Sequence, residues 1–93
     1  MTDEMKARVN TIAEVLKSYG ATEVYLFGSV AKGTNNEHSD IDIAVAGLPP
    51  EKFFEAMGDA IGAVKILFDL VDLDGNSSFV QYLKGSNELV RIL

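Results

Sequence analysis

Apolar and polar positions follow two different periods along the chain. Near the N-terminus, apolar side chains recur at helical spacing, at Met5, Val9, Ile12, Ala13 and Leu16. This spacing predicts an amphipathic helix that packs one face against a core. Thr2 is a suitable N-cap for this helix, and Gly20 is a suitable stop.

Three short apolar segments, residues 22–27, 40–46 and 65–71, are rich in β-branched and aromatic side chains and predict strands. The third is apolar on both faces apart from Asp69, which indicates a central strand. Pro50 begins a second amphipathic helix that Gly62 ends. The sequence therefore predicts an α/β fold: a small mixed sheet of at least three strands with helices packed on one face.

The C-terminal part predicts one more short helix and a second element of undecided type. Ser77 or Ser78 can cap a helix that runs through Leu83, and Gly85 ends it. Residues 87–93 form a further short helix or strand. This end of the chain is so apolar that it requires cover from the domain itself or from another chain.

The first candidate for chemistry lies where the first strand ends, at Gly28 and Ser29. Glycine lets the backbone approach a ligand closely, and a short helix starting at Ser29 would point free amides and a hydroxyl outward. Such a corner suits phosphate. Lys32 follows closely and either reaches a bound triphosphate or is an ordinary solvated lysine. His38 lies in a polar loop, where histidines usually face solvent.

The second candidate is a pair of acids on the second strand. Side chains alternate along a strand, so Asp40 and Asp42 share one face while the apolar residues between them pack the other. Two like charges so close together need a cation to remain ionised. Carboxylate oxygens are the ligands that Mg²⁺ prefers, together with substrate phosphates. The two strand ends together therefore suggest metal–nucleotide chemistry.

A third acid, Asp69, lies within the apolar third strand, where an acid is costly unless it is paired or bound to metal. Asp72 and Asp74 are followed at once by Gly75 and Asn76, which indicates that they are turn residues. We favour Asp69 over Asp72 as the third ligand, but the sequence leaves both open.

Length and composition limit the possible functions. Ninety-three residues allow one domain, and 47% hydrophobic residues can form a core that an oligomer or a partner would help to stabilise. The net charge of −6 argues against nonspecific binding of nucleic acid, which needs a basic face. The chain has no cysteine and no apolar run near the ~18 residues that span a bilayer. We expect a soluble, cytoplasmic protein.

The Gly28-Ser29 pair, ten intervening residues and then Asp40-x-Asp42 resemble the signature of the DNA polymerase β-type nucleotidyltransferase superfamily. The brevity of the chain narrows the resemblance to minimal nucleotidyltransferases, with residues 26–74 as the matching stretch. Asp69 is similar to the acid of the family's recurring apolar-Asp-Leu-Val motif. The resemblance implies a compact palm-like core with the acids on the open side or edge of the sheet.

The resemblance also implies the roles of the candidate residues. Gly28 and Ser29 would hold the β- and γ-phosphates of ATP or another NTP, and Asp40 and Asp42 would hold two Mg²⁺ ions. Asp69 would bind the metal near the acceptor hydroxyl and could take its proton. The expected reaction is transfer of a nucleotide, in the first instance AMP, to a hydroxyl.

The acceptor is implied by the family alone. Minimal nucleotidyltransferases are often paired with HEPN-type toxins and act as antitoxins by adenylylating a tyrosine of the toxin. The chain has no room for the acceptor-holding domain of larger relatives, which is compatible with this role. Two alternatives stay open: a module that neutralises its partner by contact alone, and a small-molecule nucleotidyltransferase of the antibiotic-modifying kind.

Overall fold

A computed structural model describes residues 2–28 and 41–93, and these form three α-helices and one four-stranded sheet. The elements in chain order are α1 (Asp3–Ser18), β1 (Glu23–Phe27), β2 (Ile41–Ala46), a 3-10 turn (Pro50–Lys52), α2 (Phe53–Val64), β3 (Phe68–Asp72), α3 (Ser78–Gly85) and β4 (Val90–Arg91). The predicted α/β class is confirmed. None of the helices in the described ranges has the length and apolar composition needed to cross a bilayer.

The sheet has the order β3-β2-β1-β4, in which β1 is antiparallel to both β2 and β4, and β2 is parallel to β3. The prediction that the third apolar segment forms a central strand was wrong, because β3 lies at an edge of the sheet that the structure describes. The strand is also shorter than predicted, since α2 runs on to Val64 and Lys65 ends it in the left-handed region at φ 60°. Of the apolar residues in β3, Phe68 is buried, whereas Leu70 and Val71 are only partly buried, one against each of the two apolar clusters.

The two longer helices, α1 and α2, pack on one face of the sheet, as predicted. Thr2 caps α1 by accepting a hydrogen bond at Oγ1 from the Met5 N–H at 3.1 Å. The alternating apolar residues of β2 point to the same side, and the core there includes the fully buried Ile12, Leu16, Val24, Ile41, Ile43 and Val45. Burial of a large aliphatic side chain contributes about 1.5–3 kcal/mol, so this layer is the main source of stability.

The short helix α3 lies on the opposite face, which the sequence did not predict. Its buried residues Val80 and Leu83 form a second, smaller cluster with Phe27, Ala44 and Leu73. Ser77 caps the helix by accepting the Val80 N–H at Oγ. The sheet therefore has helices on both sides, although the cover on the α3 side is much smaller.

The C-terminal segment is a strand rather than a helix and is partly covered by the domain itself. Val90–Arg91 pairs with β1, and the Ile92 N–H donates to the Val24 carbonyl at 2.8 Å. Ile92 and Leu93 are partly buried against the main core. The sheet thus covers this apolar end in part, while Val90 remains 47% exposed.

A hydrogen bond between tyrosine and aspartate joins α1 to α2. The Tyr19 O–H, just after α1, donates to the Asp59 carboxylate on α2. This hydrogen bond is the main cause that raises the pKa of Tyr19 from 10.0 to about 12. The raised pKa extends the pH range in which the phenol stays protonated and can donate to Asp59.

Candidate active site

Two of the three predicted acids lie side by side on neighbouring strands. Asp42 is the second residue of β2 and Asp69 the second residue of β3, and the two are register partners in the parallel β2–β3 pair. Register partners on adjacent strands are about 4.8 Å apart and point to the same face of the sheet. Asp42 is partly buried and Asp69 is exposed. The fold thus forms a pair of carboxylates that opens to solvent at one end of the sheet.

Gly28 lies directly against the Asp42 carboxylate. Its φ is +75°, and a Cβ added there would lie 2.3 Å from Asp42 Oδ2 and 3.2 Å from Cγ. The backbone conformation therefore favours glycine, and any side chain added at this position would require the Asp42 carboxylate to shift. The sequence predicted that glycine permits a close approach at this corner, and the close approach that the structure shows is to an acid.

The same face carries an aromatic contact on the β1 side of the acids. Phe27, the last residue of β1, is the register partner of Asp42 in the antiparallel β1–β2 pair. Its ring meets that of Phe79 on α3 edge-on, with centroids 6.0 Å apart and an interplanar angle of 61°. The acids therefore have β1 and α3 on one side and the open edge of β3 on the other.

The other predicted site residues lie outside the residues that the structure describes. Ser29, Lys32, His38 and Asp40 all fall in the stretch 29–40. No set of three or more acidic or histidine side chains that could hold a metal is found within residues 2–28 and 41–93. The complete triad of Asp40, Asp42 and Asp69 remains a prediction.

The donors that are described fit the implied Mg²⁺. Asp42 and Asp69 offer carboxylate oxygens from two adjacent strands, the ligand type that this hard cation prefers. Like charges placed directly across a strand pair repel, and a bound cation relieves that repulsion. Solvent access at Asp69 leaves room for further ligands from water or substrate.

Asp72 and Asp74 have the turn role that their sequence context predicts. The Asp74 N–H donates to Asp72 Oδ1 at 2.9 Å, and the Gly47 N–H donates to Asp74 Oδ2 at 2.8 Å. Asp72 is three residues beyond Asp69 along β3, so its side chain points to the opposite face. This geometry favours Asp69 over Asp72 as the partner of Asp42.

Sequence reasoning missed the exposed apolar side chains beside the acids, Leu67 and Phe79. The spacing of Val80 and Leu83 places Phe79 off the buried stripe of α3. That signal was present in the sequence. The position of this helix next to Asp42 depends on the sheet order, which the sequence pattern does not contain.

Neither of two cavities formed by described residues is lined by Asp42 or Asp69. The larger, about 340 Å³, lies towards the other end of β1 and β2. It is lined by Glu23, Tyr25, Ala46, Leu73, Asp74, Lys84 and Leu89. The Tyr25 O–H donates to Glu23 there, which raises the pKa of the phenol. Because this cavity is lined by none of the candidate site residues, we assign it no catalytic role.

Replacing Asp69 by Asn should leave the metal-free protein as stable as wild type, or slightly more stable. The position is exposed, and the change removes one of two facing like charges, so we expect an effect within about 0.5 kcal/mol. Mg²⁺ should raise the melting temperature of wild type more than that of Asp69→Asn, because binding to the folded state stabilises it. Thermal melts in EDTA and in MgCl₂ measure both effects.

Asp72→Asn is the matched control, since it alters an acid of the same strand on the other face. Its response to Mg²⁺ should equal that of wild type. If Asp69→Asn melts well below wild type in EDTA, Asp69 has a structural role instead of a metal-binding one.

A family model described as polymerase beta, nucleotidyltransferase, matches residues 10–90. The chain belongs to this family. The match includes β1, β2 and β3 in full, as well as Gly28, Asp42 and Asp69. A comparison with curated proteins found no match.

Solved structures of toxin–antitoxin complexes contain similar chains. One, crystallised with AMP-PNP, has 29% identity and a TM-score of 0.69, with 97% of this chain and 72% of that chain covered. A mutant MntA–HpeT toxin–antitoxin has 31% identity and a TM-score of 0.68, with 90% and 70% covered. A tri-AMPylated Shewanella oneidensis HEPN toxin in complex with MNT antitoxin has 26% identity and a TM-score of 0.65, with 92% and 69% covered.

Proposed function

We propose that this chain is a Mg²⁺-dependent nucleotidyltransferase that moves AMP from ATP to a tyrosine of a HEPN-type toxin and thereby acts in the cytoplasm as its antitoxin. The observation that carries the proposal is the pairing of Asp42 with Asp69, with Gly28 against Asp42, in a chain of this family. Similar structures with AMP-PNP and with an AMPylated toxin support ATP as the donor and a protein as the acceptor.

Some residues of the site bind the nucleotide donor, ATP, and others act on the acceptor hydroxyl. Gly28 and Ser29 bind the β- and γ-phosphates through backbone amides and the serine hydroxyl, and Lys32 is placed in sequence to contact the same triphosphate. Asp40, Asp42 and Asp69 hold the metal. When bound, Mg²⁺ supplies positive charge that offsets the charge of the leaving pyrophosphate. Gly28 lies against the Asp42 carboxylate, which supports a metal site next to the residues that bind the phosphates.

Asp69 acts on the acceptor side of the reaction. It lies on the edge strand and is exposed, so a hydroxyl of another protein can approach it from solvent. The tyrosine oxygen forms a bond to the α-phosphorus, the bond from that phosphorus to the bridging oxygen breaks, and pyrophosphate leaves. The proton of the tyrosine passes to the Asp69 carboxylate, which is the general base.

Intact mass of the acceptor tests this function. After incubation with ATP, Mg²⁺ and this chain, a HEPN-type protein encoded beside it should gain whole AMP units, and it should gain none without ATP or with EDTA. If wild type adds no AMP and still blocks the toxin, the chain works by contact alone. If small hydroxyl compounds are modified and the protein is not, the small-molecule alternative replaces our proposal.

A further inference from the structure

Two exposed apolar residues are connected to the acid pair, one by its position in the chain and the other through a contact with a neighbouring strand. Leu67 comes two residues before Asp69, at the same end of β3, and its side chain is 80% exposed. Phe79 on α3 is 49% exposed and contacts Phe27, the register partner of Asp42. Large apolar side chains this exposed are free to contact another molecule.

The chemistry of these side chains does not match the phosphates and metal of the site. A triphosphate and Mg²⁺ are bound by amides, hydroxyls and carboxylates, and an exposed leucine offers none of these groups. Aromatic side chains, by contrast, are enriched in the buried centre of protein interfaces. Leu67 and Phe79 are therefore suited to contact the acceptor rather than the polar part of the donor.

We propose that Leu67 and Phe79 form the docking surface for the acceptor protein, a proposal that rests on the function proposed above. The occupant is the apolar surface around the acceptor tyrosine. The positions of Leu67 and Phe79 support the proposal. A protein that brings a hydroxyl to Asp69 must cover the end of β3 and the face that α3 occupies.

Charge also constrains the occupant. The chain carries a net charge of −6, and Asp69 adds an exposed carboxylate at the centre of the surface. Like charges facing each other across an interface are disfavoured, whereas complementary charge increases the rate of encounter. The docking surface should therefore select an acceptor whose apolar patch is flanked by neutral or basic side chains and not by acids.

Binding measured without ATP tests the surface independently of the chemistry. The probe is the same HEPN-type protein with its acceptor tyrosine replaced by phenylalanine, titrated with this chain by calorimetry. We expect Leu67→Ala and Phe79→Ala each to weaken binding about 10-fold, which corresponds to about 1.4 kcal/mol. In the transfer assay, the KM for the acceptor should rise while the KM for ATP stays at the wild-type value.

Phe54→Ala is the matched control. Phe54 is 81% exposed, which is close to the 80% of Leu67, but it lies on α2 and so on the other face of the sheet. The Phe54→Ala variant should bind the acceptor as tightly as wild type does. Because Phe79 packs against Phe27, thermal melts should show whether Phe79→Ala is still stably folded. If that variant is unstable, Leu67→Ala still tests the docking surface, since Leu67 is exposed.

The outcomes separate this proposal from the function on which it rests. If wild type transfers no AMP, the proposed chemistry fails, while the binding data still measure docking. If wild type transfers AMP but Leu67→Ala and Phe79→Ala bind the acceptor as tightly as wild type, the docking surface is wrong. A raised KM for ATP in Phe79→Ala with unchanged acceptor binding also overturns it, because Phe79 then contacts the nucleotide.

Discussion

Transfer of AMP should fall at least ~10²-fold when Asp40 and Asp42 are both replaced by Asn. The change removes the charges of two of the acids that we propose as metal ligands, and a positioned metal contributes several kcal/mol of transition-state stabilisation. Each tenfold change in rate corresponds to about 1.4 kcal/mol, so losing most of the stabilisation by the metal should slow transfer by ~10²-fold or more. Asp42→Asn alone should cause a large part of the loss, because Asp42 is the acid paired with Asp69.

Two variants show whether the effect is specific. Ser29→Ala should be milder, about 10-fold, since backbone amides still hold the phosphate. Asp74→Asn removes an acid at the other end of β3 and keeps an oxygen that can accept the Gly47 N–H, so its rate should match wild type. The measurement is the initial rate of AMP addition to the acceptor. If the double variant labels the acceptor as fast as wild type does, the assignment of the acids is wrong.

Gly28→Ala should reduce transfer as severely as Asp42→Asn and should also destabilise the fold. The new Cβ would lie 2.3 Å from Asp42 Oδ2, so the carboxylate must move away from its position beside Asp69. The residue also has φ +75°, a conformation that costs a residue with a side chain about 1–2 kcal/mol. Urea unfolding and the transfer assay measure the two effects separately.

The control for this change is Gly58→Ala, at a glycine inside α2 where an added Cβ meets nothing within 4 Å. Alanine has the higher helix propensity, so this variant should gain up to about 1 kcal/mol and keep wild-type activity. A Gly28→Ala protein with full activity would show that the corner does not position Asp42. A variant that is stable but inactive would separate the role of the glycine in the site from its role in the fold.

Two features form the site: the close approach of a glycine to one acid, and the pairing of two strands that places a second acid beside the first. Gly28 lies against Asp42, and β-pairing places Asp69 beside it. These two contacts depend on three separate segments of the chain. For this reason, variants of Gly28 and Asp42 should not act additively: once Asp42 has lost its charge, displacing it through Gly28→Ala should cost little further activity.

Several elements could be predicted from local pattern alone. The three- and four-residue spacing predicted α1 with its Thr2 cap, and a cap at Ser77 or Ser78 predicted α3, which the structure shows capped by Ser77. Alternation in β2 placed Asp42 on the face opposite Ile41 and Ile43, as the structure has it. These features depend on residues that are close in the sequence, where the spacing of apolar side chains directly indicates a helix or a strand. The motif spacing also indicated the family to which the chain belongs.

The tertiary structure decided which strands are neighbours and in what register. β3 is at an edge of the described sheet rather than in its centre, and α3 lies on the face opposite α1 and α2. The register of the β2–β3 pair places Asp69 directly beside Asp42. The tertiary structure also brought Phe79 against Phe27, the register partner of Asp42, whereas Leu67 is close to Asp69 in the sequence itself. Apolar periodicity states which face of a strand is buried, but not which strand or helix buries it. Pairing depends on the packing of segments far apart in the chain, so this information exists only in the folded molecule.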